Sequence, residues 1–147
     1  MLAAAVSDLA PLAALFASAV LAGSVLPAQS ELVLAALVRA GGQPVWLLVA
    51  VATIGNVLGA FVNYGLGRSA AQLRGRRWFP LSDAGWQRST ALFNRHGTWI
   101  LLLSWVPIIG DGFTVIAGAA RTPFWWFALL VSVGKGARYW LLAAALA

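Results

Sequence analysis

Two apolar stretches of the sequence are each interrupted by a proline that is followed four residues later by an acidic residue. Pro27 precedes Glu31, and Pro107 precedes Asp111, with the two breaks 80 positions apart. A proline inside a helix removes a backbone donor and kinks or ends the helix. The pattern therefore predicts two broken helices in an internal repeat, which in membrane transporters points to the binding site.

The composition places these breaks in a membrane. Hydrophobic residues make up 61% of the 147 residues and charged residues only 10%, whereas soluble domains carry about 25% charged residues. The sequence predicts one all-α integral membrane domain over residues 1–147. With no cysteine and a single histidine, His96, it offers no metal site, and we expect no cofactor. No catalytic set is recognisable, so we do not expect an enzyme.

Two segments, residues 45–66 and 124–147, are long enough as helices to cross a hydrocarbon core of about 30 Å. Shorter apolar arms at residues 31–40, 98–106 and 113–120 reach only about 12 to 15 Å. We expect the arms on either side of each break to form a re-entrant hairpin, with its irregular backbone facing protein or a cavity. The first arm, residues 9–26, could instead just span.

The second half of the chain repeats positions of the first half. At an offset of 79, the matched pairs are Pro44 and Pro123, Trp46 and Trp125, Gly55 and Gly134, and Asn56 and Lys135. A hairpin returns the chain to its starting side and the next span carries it across, so the second copy must be inverted. The predicted fold is an inverted repeat of two re-entrant helical hairpins, each followed by a transmembrane helix.

Repeat one covers residues 9–68, a basic linker covers residues 69–97, and repeat two covers residues 98–147. The arginines of the linker place it in the cytoplasm by the positive-inside rule. Within it, residues 83–93 are predicted as a helix on the membrane surface, with Trp86 and Phe93 directed toward lipid. No nucleic-acid-binding module accompanies the arginines, so we expect no nucleic-acid partner.

Four charged residues lie within the predicted membrane segments: Glu31, Asp111, Lys135 and Arg138. Each costs about 2.5 to 3.5 kcal/mol at the centre of a membrane helix, so they must face one another, a cavity or water. Two interpretations stay open. The charges form structural ion pairs, or the cations bind an anionic headgroup while the acids exchange protons. Asn56, matched with Lys135 by the repeat, joins this candidate substrate and proton site.

Several other polar or small residues have two interpretations. Arg39 and Arg121 end the two predicted hairpins and Arg68 ends the first span. All three are candidate headgroup contacts, although snorkelling to lipid phosphates is the simpler interpretation. Gly55 and Gly59 form a Gly-x-x-x-Gly pattern, which predicts close approach of a second helix.

Motifs along almost the whole chain resemble the DedA family of membrane proteins, also called the VTT or SNARE-associated domain family, and most closely its short bacterial YqaA-like branch. They are L-P-A-Q-S-E at residues 26–31, G-N-V-L-G at 55–59, L-G-R at 66–68, L-L-L-S-W-V-P-I-I-G-D at 101–111 and G-K-G-A-R-Y at 134–139. Glu31 looks like the family's first-hairpin acid and Pro107 like its second-hairpin proline. Where the better-studied branch flanks that proline with arginines, Ser104 and Asp111 stand nearby.

The resemblance implies opposed re-entrant hairpins in the bacterial inner (plasma) membrane. It also implies a flippase or scramblase that moves an anionic lipid, a polyprenyl phosphate or a phospholipid, with dependence on the proton-motive force. Two alternatives stay open: a proton-coupled antiporter for a small ion or drug, and a membrane scaffold without transport. A homo-oligomer is compatible with so small a bundle, but no residue specifies one.

Overall fold

A computed structural model describes residues 2–24, 29–73, 75–77, 79, 81–107 and 109–147. All regular structure within these ranges is helical, which confirms the all-α prediction. The elements are α1 (Leu2–Gly23), α2 (Ser30–Ala40), α3 (Val45–Arg68), α4 (Ala70–Leu73), α5 (Asp83–His96), a 3₁₀ helix (Gly97–Trp105), α6 (Ile109–Ala119) and α7 (Phe124–Leu146).

The helices α3 and α7 are long and apolar enough to cross a membrane, as predicted for residues 45–66 and 124–147. Each begins directly after a proline with extended backbone, Pro44 for α3 and Pro123 for α7. Proline suits the start of a helix because its missing N–H would have had no helical partner there. The two long helices also contact each other.

The remaining apolar segments are short, and their bounds differ somewhat from the predicted ones. Helix α1 runs from Leu2 to Gly23 and contains Pro11, so it starts and ends earlier than predicted. The first break, with Pro27, lies outside the described residues. At the second break the 3₁₀ helix ends at Trp105, and Pro107 lies in a turn. Helix α6 then starts at Ile109 rather than at residue 113.

Glycines bring backbones together on α3. At Gly55 an added Cβ would lie 2.8 Å from the carbonyl oxygen of Phe16 in α1, and at Gly59 it would overlap the carbonyl of Val20. The Gly-x-x-x-Gly prediction is thus confirmed for these two helices. Near the C-terminal end of α3, a Cβ at Gly67 would overlap the carbonyl of Val115 in α6. The helix therefore holds α1 and α6 through backbone contact.

The prediction that α5 turns its aromatic residues to lipid is wrong. Phe93 is only 7% exposed and packs in a core with Phe113 and Phe127, and Trp86 packs against the same core. The apolar face of α5 meets α6 and the 3₁₀ helix, so its aromatic residues cover apolar surface of these short elements instead of facing outward.

Replacing Gly67 by alanine tests the contact between α3 and α6. The added methyl would meet backbone that cannot rotate away, so Gly67→Ala should lower the free energy of unfolding by about 1–3 kcal/mol, the usual cost of overpacking. Gly65→Ala is the matched control, because a Cβ there meets nothing within 4 Å. Alanine favours the helix, so the control should unfold no earlier than wild type. Thermal unfolding in detergent measures both variants, and equal melting temperatures would contradict the proposed contact.

Candidate functional site

Helix α7 carries two cations, and each pairs with an acid at the start of a short helix. Arg138 forms an ion pair with Glu31, and Lys135 Nζ lies 3.5 Å from Asp111 Oδ1. Glu31 stands in the first turn of α2 and Asp111 in the first turn of α6. The positive end of a helix dipole favours a carboxylate there. The structure thus gathers along α7 the four charges that the sequence places inside the membrane.

A network of buried polar side chains joins the same elements. Lys135 Nζ donates to Asn56 Oδ1, and Asn56 Nδ2 donates to the Tyr139 hydroxyl at 2.9 Å. That hydroxyl is also in hydrogen-bond contact with Ser30 Oγ, at 2.7 Å. All four residues are buried. Because buried polar groups need partners, the network fixes α2 and α3 against one face of α7.

The two ion pairs differ in their access to the outside of the molecule. The side chains of Glu31 and Arg138 are 41% and 28% exposed, whereas Lys135 is 4% exposed. Asp111, at 30%, lies between these extremes. We name the set Ser30, Glu31, Asn56, Asp111, Lys135, Arg138 and Tyr139 the polar cluster. Among its charged members, Glu31 is the most exposed and Lys135 the least.

Arg138 also connects the second break. Its Nη1 donates at 2.9 Å to the carbonyl oxygen of Trp105, the last residue of the 3₁₀ helix. Carbonyls at the end of a helix lack a helical partner, so the guanidinium satisfies one of them. Arg138 therefore contacts the residue that ends one apolar segment and the acid that follows the other break.

The three arginines that the sequence offers as headgroup contacts lie away from the cluster. Arg39 is exposed in the last turn of α2, about 12 Å along the helix from Glu31. Arg121 is exposed in the turn after α6, and Arg68 is exposed at the end of α3. All three stand at helix ends.

Sequence reasoning missed two members of the polar cluster, Ser30 and Tyr139. Tyr139 lies four residues after Lys135, which places both on the same face of a helix, so spacing alone could have indicated it. Ser30 gave no such signal beyond standing next to Glu31. Among the described residues, no group of three or more potential metal ligands comes together.

Comparison with known proteins agrees with the motifs. The VTT domain family matches residues 26–147, a range that contains the whole polar cluster. The chain belongs to the DedA (VTT-domain) family. Inner membrane protein YqaA of Escherichia coli is 38% identical over 141 residues, which cover 95% of this chain and 93% of that protein. The YqaA protein of Shigella flexneri gives the same values.

An uncharacterized protein of Haemophilus influenzae is 36% identical over 135 residues, covering 85% of this chain and 80% of the relative. No solved structure matches the chain. The names of two relatives point to the bacterial inner membrane as the location of this DedA-family chain. They state no substrate or activity.

Removing one partner of the Lys135–Asp111 pair tests how much the pairing contributes to the stability of the protein. Asp111→Asn leaves a buried ammonium without its carboxylate and should lower the free energy of unfolding by about 3 kcal/mol. Lys135→Met should cost less, because the remaining carboxylate is 30% exposed and can be hydrated.

Chemical unfolding in detergent of both single variants and of Asp111→Asn/Lys135→Met completes the double-mutant cycle. The double variant should be more stable than Asp111→Asn alone, because it leaves no uncompensated buried charge. Strict additivity of the two single changes would show that the residues do not interact.

Proposed function

We propose that the protein is a lipid flippase or scramblase that moves an anionic lipid, a polyprenyl phosphate or a phospholipid, between the two leaflets. The observation that carries this proposal is the half-exposed Arg138–Glu31 pair, which connects both interrupted segments. A guanidinium matches the geometry of a phosphate group and binds it through two hydrogen bonds. Arg138 can therefore exchange Glu31 for the phosphate of a headgroup.

The proposal includes the architecture of two opposed re-entrant hairpins, α1–α2 and 3₁₀–α6. The repeat-related glycines Gly55 and Gly134 support it, because each faces a carbonyl of the preceding arm in its own repeat. A Cβ at these positions would lie 2.8 Å from Phe16 O and 2.7 Å from Leu102 O, respectively.

Contact between equivalent positions also supports the inverted repeat. Asn56 and Lys135 occupy equivalent places in α3 and α7, and their side chains touch. Residues related by a two-fold axis meet only close to that axis. In this arrangement the polar cluster lies at the repeat interface, where such transporters bind substrate, and the linker of residues 69–97 faces the cytoplasm.

Transport in this scheme begins when a headgroup replaces Glu31 on Arg138. The displaced carboxylate either turns to water or binds a proton, because an unpaired charge in a dry site is costly. Lys135, one turn earlier on α7, is the next cation available to the phosphate. Proton uptake by an acid would provide the coupling to the proton-motive force that the family resemblance implies.

A proton-coupled antiporter for a small ion or drug is the second candidate. It is favoured by the Lys135–Asp111 pair, in which the ammonium is buried and the carboxylate is partly exposed, because separating these two charges does not require a lipid. This alternative predicts that adding a small cation dissipates a pH gradient in liposomes without lipid movement.

Liposomes that contain a fluorescent phospholipid or polyprenyl phosphate test the proposal. Wild type should accelerate the chemical quenching of label that starts in the inner leaflet. Arg138→Ala should slow this lipid movement at least about tenfold, because it removes one charged hydrogen-bonded contact that contributes roughly 1.4 kcal/mol or more. Arg138→Lys keeps the positive charge but lacks the planar guanidinium, so its rate of lipid movement should lie between those of wild type and Arg138→Ala.

Arg88→Ala is the matched control, because this exposed arginine of α5 lies outside the polar cluster and should leave the rate within about twofold. Melting temperatures of all variants separate loss of transport from loss of folding. Failure of the wild type to accelerate movement of either lipid would contradict the proposed function.

A further inference from the structure

The turn that follows α6 contains an unusual backbone conformation. Arg121 has φ 56°, and it is the only non-glycine residue with positive φ in the described ranges. The amide of Arg121 donates to Gly118 O at 3.1 Å, and the amide of Thr122 donates to Ala117 O at 3.0 Å. This pattern is a helix cap built around a left-handed residue, a place that usually holds glycine because a Cβ is strained there.

The first repeat places a glycine in the left-handed conformation at the corresponding helix end. Gly41 follows α2, has φ 70° and donates to Leu37 O, so the two helix ends share the left-handed residue although their hydrogen bonds differ. Gly41 precedes Arg121 by 80 positions, the offset that relates Pro27 to Pro107. The turn itself therefore does not require an arginine, and glycine would form it without strain. Strained residues of this kind concentrate at functional sites.

Compensation of the helix dipole does not explain this arginine either. A basic residue near the end of a helix stabilises it, but it can do so from an ordinary helical position. Arg39 stands in the last turn of α2, ahead of Gly41, and shows this unstrained solution in the same chain. Stabilisation of the helix end therefore does not account for an arginine at residue 121.

A second guanidinium lies close to the same turn. Arg68 Nη1 is 3.5 Å from the Tyr64 hydroxyl. That hydroxyl donates at 2.5 Å to the carbonyl of Thr122, the residue after Arg121. Both arginines are exposed. No carboxylate in the described part of the chain is within ion-pair distance of either one.

The surroundings of this turn are those of a membrane interface. Trp125, at the start of α7, is 85% exposed, and tryptophans gather at the level of lipid headgroups. Phe79 of the linker packs against Val115 of α6, so the linker lies over this end of the molecule. The linker brings two more exposed arginines, Arg76 and Arg77.

We propose that Arg121 and Arg68 form a docking site for the phosphate of an anionic lipid headgroup, at the end of the molecule where α3 and α6 finish. The site rests on the proposed function in one respect: it would receive the lipid before Arg138 does. Two guanidiniums that have no carboxylate partner among the described residues provide the donors that a phosphate needs. The exposed Trp125, four residues after Arg121, favours a lipid over a soluble anion.

Binding of short-chain lipids to the detergent-solubilised full chain tests this site. Titration calorimetry with dihexanoyl phosphatidic acid should show binding to wild type, and weaker binding of dihexanoyl phosphatidylcholine and of inorganic phosphate. Arg121→Gly, Arg121→Ala and Arg68→Ala should each weaken phosphatidic acid binding at least about tenfold, whereas the control Arg88→Ala should stay within about twofold.

The two changes at residue 121 separate strain from charge. Both remove the guanidinium, but only glycine relieves the left-handed backbone, so Arg121→Gly should melt at a higher temperature than Arg121→Ala and still bind poorly. Wild-type affinity in Arg121→Gly would overturn the site. Inorganic phosphate binding as tightly as phosphatidic acid would overturn its assignment to a lipid.

Lipid movement in liposomes distinguishes failure of this site from failure of the proposed function. Arginine-dependent binding of phosphatidic acid without movement of any lipid would leave the docking site in place and contradict transport. Movement of lipid by Arg121→Gly at the wild-type rate, together with undiminished binding, would contradict the docking site and leave transport in place.

Discussion

The ion pairs that α7 makes with the first turns of α2 and α6 are the interactions on which the arrangement depends. A charge that is removed from water needs an opposite charge nearby, so Lys135 and Arg138 pair with carboxylates, and each carboxylate holds the start of a short helix. An isolated helix of 11 residues is marginal by itself. The pairs thus position two short helices that their own apolar contacts could not orient uniquely, because lipid competes for the same apolar surface.

The two long helices contribute differently to the site. At the repeat-related positions, α3 has Asn56 and Gly59 where α7 has Lys135 and Arg138. The small residue lets α1 approach the backbone of α3, whereas the cations of α7 pair with acids in the first turns of α2 and α6. One helix therefore serves close packing and the other carries the charges. Positions that the sequence relates at an offset of 79 thus have different roles in the two helices.

Hydropathy and proline spacing predicted both long helices and the break near Pro107, because these features depend on local sequence. The cost of buried charge predicted that the acids and cations must lie together, but not that Arg138 would pair with Glu31 and Lys135 with Asp111. That choice depends on the register between α7 and two distant helices. The burial of Phe93 was missed for a related reason: a periodic pattern identifies an apolar face without identifying what covers it.

The balance of charges decides which part of the cluster is able to exchange a ligand. Two carboxylates and two cations leave the cluster without net charge, which makes it easier to tolerate where the dielectric is low. An arriving phosphate would make it negative unless a carboxylate leaves or takes a proton. Both members of the Glu31–Arg138 pair are partly exposed, at 41% and 28%, whereas Asp111, at 30%, is paired with an ammonium that is only 4% exposed and also bound to Asn56. In the proposed transport step, the Glu31–Arg138 pair is therefore the better suited to release its carboxylate, and the Lys135–Asp111 pair to hold the fold.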